Sequence, residues 1–140
     1  MVDFAQARQV MGNLPYCRAL GIEIVDLGPG WAELVIPYRD DLIGDPATGV
    51  LHGGAVSALM DSTCGTAVIC HPDGGVGTAT LDLRIDYLRG ATPGQALRAR
   101  AECIRVTRTI AFVRGTAHDD DTGSPVATAT AAFTVPGAAA

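Results

Sequence analysis

The run Leu51-His52-Gly53-Gly54-Ala55-Val56-Ser57-Ala58-Leu59-Met60-Asp61 constrains this chain more than any other stretch. A His-Gly-Gly turn opens an apolar helix, and a single carboxylate sits about two and a half turns along it. Paired glycines let a backbone approach a ligand closely. A helix N-terminus presents unpaired N–H groups at the positive end of its dipole, and such groups can hold a developing oxyanion. An aspartate inside an apolar helix is costly unless it is paired, solvated or used.

The spacing carries a further deduction. His52 and Asp61 are nine residues apart, roughly 13 Å along a helix axis at about 1.5 Å per residue. One small carbonyl group cannot meet the Gly53 N–H and the Asp61 carboxylate of the same helix. If both act on one substrate, they come from two copies of the helix. A two-fold dimer would bring the start of one helix near the middle of the other and create two equivalent sites.

The rest of the chain supplies a sheet. Asp3 can cap a short helix with Phe4, Ala7, Val10, Met11 and Leu14 on one face, ended by Pro15. Ile22 to Leu27 and Trp31 to Ile36 read as strands joined around Gly28-Pro29-Gly30, and Tyr38 to Val50 reads as loop. The helix is expected from about Gly54 to Cys70, with Val56, Leu59, Met60, Thr63 and Ala67 sharing a face. Pro72-Asp73-Gly74-Gly75 breaks it.

Beyond that break lies the clearest period-two signal: Leu81, Leu83, Ile85 and Tyr87 alternate with Thr80, Asp82, Arg84 and Asp86. Leu97, Ala99, Ala101 and Cys103 alternate with Arg98, Arg100 and Glu102 in the same way. Ile110 to Ala117 and Val126 to Val135 complete the strands. Asp119-Asp120-Asp121-Thr122-Gly123 reads as a solvated hairpin turn, and Ala138 to Ala140 as a frayed end. One long helix between two early strands and a later antiparallel meander predicts an α+β fold, a sheet wrapped around a helix. No repeat or domain boundary interrupts residues 1–140, which read as one domain.

Charge narrows the classes of partner. The net charge is −5 and all 10 basic residues are arginine. This balance argues against bulk nucleic-acid binding, which needs a basic footprint, but leaves room for an anionic small molecule held by a few local arginines. No apolar run is long enough to span a membrane, and no secretory signal pattern is visible at the N-terminus. A cytoplasmic location is the expectation. The four cysteines, Cys17, Cys64, Cys70 and Cys103, form no Cys-x-x-Cys pair and read as reduced packing residues. Cys70-His71 alone is too small a ligand set for a metal, so no metal is expected.

The hydrophobic residue, the His-Gly-Gly and the aspartate nine positions after the histidine together resemble the signature of the hotdog-fold acyl-CoA thioesterases, in the phenylacetate-degradation (PaaI-like) branch. The resemblance runs from about Leu14 to Val135 in the order and length of the elements. It implies an antiparallel sheet around a long central helix, hydrolysis of an acyl-CoA thioester to free acid and coenzyme A, and a homo-oligomer, either a dimer or a dimer of dimers. It implies no cofactor, because coenzyme A belongs to the substrate.

It also implies roles for particular residues. Asp61 would be nucleophile or general base. Gly53 would donate its backbone N–H to the oxyanion, Gly54 would start the helix, and His52 would orient that turn. Thr80 matches a Ser or Thr that orients the carboxylate or a water. Arg89, Arg105 and Arg108 lie near strand ends, where arginine can grip the phosphates of coenzyme A.

One departure stands out: where many relatives carry an asparagine six residues before the histidine, this chain has Pro46. Asp45 is then the candidate for that place, although it can accept hydrogen bonds but not donate an amide N–H. Two other readings follow from the same residues. A non-catalytic acyl-CoA-binding protein would keep the pocket without turnover. A dehydratase of the same fold needs a different histidine spacing.

Overall fold

The helix that opens at His-Gly-Gly, α3 (Gly53–Ile69), is buried on nearly every side: Val56, Leu59, Met60, Thr63, Cys64, Ala67 and Val68 are all inaccessible or nearly so. Beyond the exposed Gly53 and Gly54 at its start, only a strip of Ser57, Asp61, Ser62, Gly65 and Ile69 stays partly open. The computed structural model describes residues 2–137, so the expected fraying of Ala138 to Ala140 lies outside the described residues.

Around α3 curls a six-stranded sheet. Its strands are β1 (Glu23–Gly28), β2 (Trp31–Ile36), β5 (Thr80–Tyr87), β6 (Leu97–Val106), β7 (Ile110–His118) and β8 (Ala127–Thr134). They are ordered β1-β2-β6-β7-β8-β5, and every neighbouring pair is antiparallel. This is the α+β, sheet-around-a-helix arrangement that the element order predicts. Alanines line the inner face: Ala99, Ala101, Ala111, Ala117, Ala127, Ala129 and Ala131 are buried there. Small side chains let the sheet close tightly on the helix, and Leu34, Ile36, Leu97 and Val113 fill what remains.

Three local expectations change. Pro15 does not merely end the first helix, α1 (Phe4–Gly12). It starts a second, α2 (Pro15–Leu20), where its fixed φ and missing N–H suit the first position. Asp3 does cap α1, accepting from the Gln6 N–H at 3.1 Å. The segment expected as loop contains a small hairpin, β3 (Ile43–Asp45) with β4 (Val50–Leu51).

The acidic turn after β7 is not uniformly solvated. Asp119 has a fully buried side chain that accepts two hydrogen bonds from Arg89, each at 2.7 Å, and more from the Thr92 N–H, the Thr92 hydroxyl and the Asp121 N–H. The Arg89 guanidinium holds the Asp119 carboxyl far below the usual carboxylate range. A buried carboxylate is tolerable only with such a complete set of partners.

Candidate active site

Asp61 sits on the open strip of α3. The Thr80 hydroxyl donates to its Oδ1 at 2.7 Å. Strict alternation along β5 would put Thr80 on the face of Asp82, Arg84 and Asp86, away from the helix. A β-bulge prevents this. Thr80 pairs with Phe133 and Asp82 with Ala132, so Leu81 is one residue too many for the ladder. Thr80 therefore faces inward beside the buried Phe133, while Leu81 is 57% exposed. Bulges re-aim side chains in this way. The bond fixes the rotation of the carboxylate and leaves Oδ2 without a partner among the described residues.

The start of α3 is built as tightly. His52 Nδ1 accepts the Gly54 N–H at 2.7 Å, which places the neutral ring's proton on Nε2. A Cβ on residue 54 would lie 2.9 Å from that nitrogen, so glycine is needed for the cap to form. A Cβ on Gly44 in β3 would come within 2.6 Å of the His52 Cα, so the β3–β4 hairpin can also lie directly against the turn. The His52 N–H donates to the Leu42 carbonyl at 2.8 Å, and its own carbonyl accepts from the Ala55 N–H at 2.9 Å. In a trans peptide C=O and N–H point opposite ways. With the His52 carbonyl turned into the helix, the Gly53 N–H is turned out of it, and it has no partner among the described residues.

Tyr87, at the far end of β5 from Thr80, donates its hydroxyl to the Gly53 carbonyl at 3.3 Å. The pattern places Tyr87 on the helix-facing side of β5, but its contact with the Gly-Gly turn is not readable from sequence. Thus β5 touches Asp61 at one end and Gly53 at the other. Within one chain the two stay eight residues apart on one helix, about 12 Å along its axis.

The remaining candidates separate. Arg89 uses all of its guanidinium N–H groups within the protein, on Asp119, the Ser124 carbonyl and the Gly90 carbonyl. It fastens the loop after β5 to the turn after β7 and has no donor left for a phosphate. Arg108 is exposed in the β6–β7 turn, at the end of the sheet that carries Thr80. Asp45 is exposed and accepts from the Ala47 N–H at 3.0 Å and the Thr48 hydroxyl at 2.9 Å, stabilising its own turn.

Cys64, Cys70 and Cys103 offer no nucleophile. All four are free and buried. Burial pushes the Cys64 thiol up to about 12, with the Asp61 charge adding to the shift. Burial likewise raises Cys70 to about 11 and lifts Cys103. A thiol that keeps its proton at neutral pH attacks nothing. His71 Nδ1 accepts the Asp73 N–H at 3.0 Å, capping the turn after α3. No helix among the described residues is long and apolar enough to cross a membrane.

Beside Asp61 lies a largely apolar cleft of about 510 Å³, lined among others by Met11, Leu14, Tyr16, Gly65, Ile69 and Phe133. The arrangement thus offers an oriented carboxylate at the mouth of an apolar cleft, and an outward backbone N–H at the start of the same helix.

Proteins of known structure share this fold. The family model of the thioesterase superfamily matches residues 48–126. The medium/long-chain acyl-CoA thioesterase YigI of Salmonella typhimurium is 28% identical over 145 residues, covering 88% of this chain and 86% of that protein. A protein of known structure from Pseudomonas aeruginosa is 41% identical, with a TM-score of 0.81 over 93% of this chain and 96% of that one. A variant of the phenylacetic acid degradation protein PaaI from Thermus thermophilus is 30% identical, with a TM-score of 0.76 over 87% of this chain and 99% of that one.

Proposed function

The chain belongs to the thioesterase superfamily, as a PaaI-like hotdog protein, and from that premise we propose that it hydrolyses acyl-CoA thioesters with Asp61 at the centre of the reaction. It is a thioester hydrolase by kinship with relatives named acyl-CoA thioesterases. The observation that carries the finer reading is the bond from Thr80 to Asp61 Oδ1 at 2.7 Å at the mouth of the apolar cleft. With Oδ1 held, Oδ2 either attacks the thioester carbonyl or removes a proton from a water that attacks it. The carbonyl oxygen becomes an oxyanion, the C–S bond breaks as it collapses, and the thiolate leaves and takes up a proton; where Oδ2 itself attacks, a water then hydrolyses the acyl anhydride to free acid and the Asp61 carboxylate. The chemistry calls on no metal or redox group.

The oxyanion donor is the Gly53 N–H of a second copy. Support comes from the bare edge of β5, which has a strand partner on one side only. Leu81, Tyr87 and Leu88 are all more than half exposed there. Antiparallel pairing of two such edges sets the Thr80 end of one copy against the Tyr87 end of the other. Asp61 of one chain then comes to Gly53 of the next, and a two-fold axis makes two equal sites. Gly54 and His52 hold that turn in shape. Arg108, free and on the Thr80 side, is the arginine we assign to the phosphates of coenzyme A.

The test is thiol release from a panel of acyl-CoA substrates by wild type and Asp61→Asn. A fall in kcat of about a thousandfold, within the range that a positioned base contributes, supports the reading when thioester binding is retained. Tight binding without turnover in either protein would replace it with an acyl-CoA-binding protein. Asp45 favours that second reading: its carboxylate is engaged in its own turn rather than free to hold a water.

A further inference from the structure

We propose that Gly65 sets the length of acyl chain this protein accepts, because its missing side chain opens the surface of α3 directly beyond Asp61. The inference rests on the thioesterase reading above.

Residues four apart on a helix lie one above the other, so Asp61, Gly65 and Ile69 form one row. All three line the cleft. From Asp61 to Ile69 the row runs about 12 Å at about 1.5 Å per residue, the length of an extended chain of roughly eight to ten carbons. A side chain at the middle of the row would stand in the path. A Cβ on Gly65 would meet only the Phe133 ring, at 3.4 Å. An alanine there is therefore in ordinary contact, and anything larger projects into the cleft.

Several of the cleft's polar side chains are already engaged within the chain. The Thr66 hydroxyl donates to the Ser62 carbonyl at 2.6 Å, the Thr78 hydroxyl donates to the Thr134 carbonyl at 2.6 Å, and Cys17 Sγ lies 3.6 Å from Ser62 Oγ. What remains is an apolar channel whose working polar pair, Asp61 and Thr80, is at its mouth. Leu14, Tyr16 and Val76 on its rim stay exposed, as an apolar rim does when it awaits an apolar ligand. Met11 and Cys17 also line a second cavity of about 480 Å³, so these two side chains form part of the wall between the two. A substrate with its thioester at Asp61 and a straight hydrocarbon tail along Gly65 matches this shape.

Linear acyl-CoA substrates of 2 to 16 carbons would be assayed with wild type, Gly65→Ala and Gly65→Val. In wild type, kcat/KM should climb by up to about fourfold per added methylene, the worth of a buried CH₂, and level off near the length of the row. Gly65→Val should lose at least tenfold on decanoyl-CoA and change less than threefold on acetyl-CoA, with Gly65→Ala between. Alanine has the higher helix propensity, so Gly65→Ala should unfold no earlier than wild type and serves as the folded control. An equal loss at every chain length, or an unchanged profile, overturns the proposal.

Binding separates this outcome from failure of the thioesterase reading. By calorimetry, Asp61→Asn should bind decanoyl-CoA more tightly than acetyl-CoA, and Asp61→Asn combined with Gly65→Val should not. If wild type turns over no thioester but this binding difference holds, the channel stands and the hydrolase reading fails. If the two thioesters bind alike, the channel assignment fails.

Discussion

Strands β5 and β6 alternate equally well in sequence, yet the folded chain treats them in opposite ways. In β6 the inward residues Leu97, Ala99 and Ala101 are almost wholly buried beneath α3, and the residues between them are exposed. In β5 the inward residues Leu83 and Ile85 are only half-buried, and Tyr87 is 53% exposed. The difference is position in the sheet. β6 lies between β2 and β7, under the helix, whereas β5 is the last strand and has one bare edge. A central strand is built for packing. An edge strand with an apolar face and free backbone groups is built to receive something. Here the edge strand is also the one that touches both Asp61 and Gly53.

This contrast breaks if substitutions in the two strands have similar consequences. The largest effect is expected in β6. Leu97→Ala removes a fully buried side chain and should lower stability by about 3 kcal/mol, measured by urea denaturation. Its kcat at 25 °C should stay within about threefold of wild type, because Leu97 does not line the cleft beside Asp61. A large loss of kcat in the folded variant would mean that the packing strand is not separable from the site.

In β5 the order reverses. Leu81→Asp changes an exposed bulge residue, so the unfolding midpoint should barely move, as for most surface substitutions. Sedimentation velocity should show wild type as the proposed dimer and the variant dissociated at the same concentration. Turnover should fall about 30-fold, since a charge on a pairing edge opposes association. An unchanged association state with full turnover would remove the shared-site proposal.

The smallest effect sharpens the role of the bulge. Thr80→Val keeps the shape and removes the hydroxyl that holds Asp61. We expect kcat to fall about tenfold, about 1.4 kcal/mol, near the low end for one hydrogen bond to a charged group, with KM within twofold. Thr80→Ser should restore most of it. A change in KM alone would make Thr80 a binding residue rather than one that orients the carboxylate.

Much of the molecule was legible before any coordinates, and the parts that were not share a cause. α3 announced itself because its pattern is local: a Gly-Gly start, an apolar run and a Pro-Gly stop. β6 was legible for the same reason. The role of Thr80 came from the family resemblance, but its inward facing was not legible in the alternation of β5, because it depends on one residue of slippage against β8, and a ladder register belongs to two strands rather than one. Asp119 looked like a solvated turn acid because its partner Arg89 lies 30 residues away in sequence. Arg89 in turn looked free to bind phosphate. The Pro15 helix was hidden behind a residue that starts helices as readily as it stops them.

The sequence by itself determined the helix, the order of elements along the chain and the family signature. It also determined that one chain cannot bring Gly53 and Asp61 to the same carbonyl, since that follows from helix rise alone. Only the tertiary structure decided that Thr80 turns inward to hold Asp61, that Arg89 is consumed by Asp119, that β5 keeps a bare apolar edge and that Gly65 opens a channel. Those are relations between residues distant in sequence. Periodicity records which way a side chain faces along its own element, but not what the rest of the chain has placed opposite it.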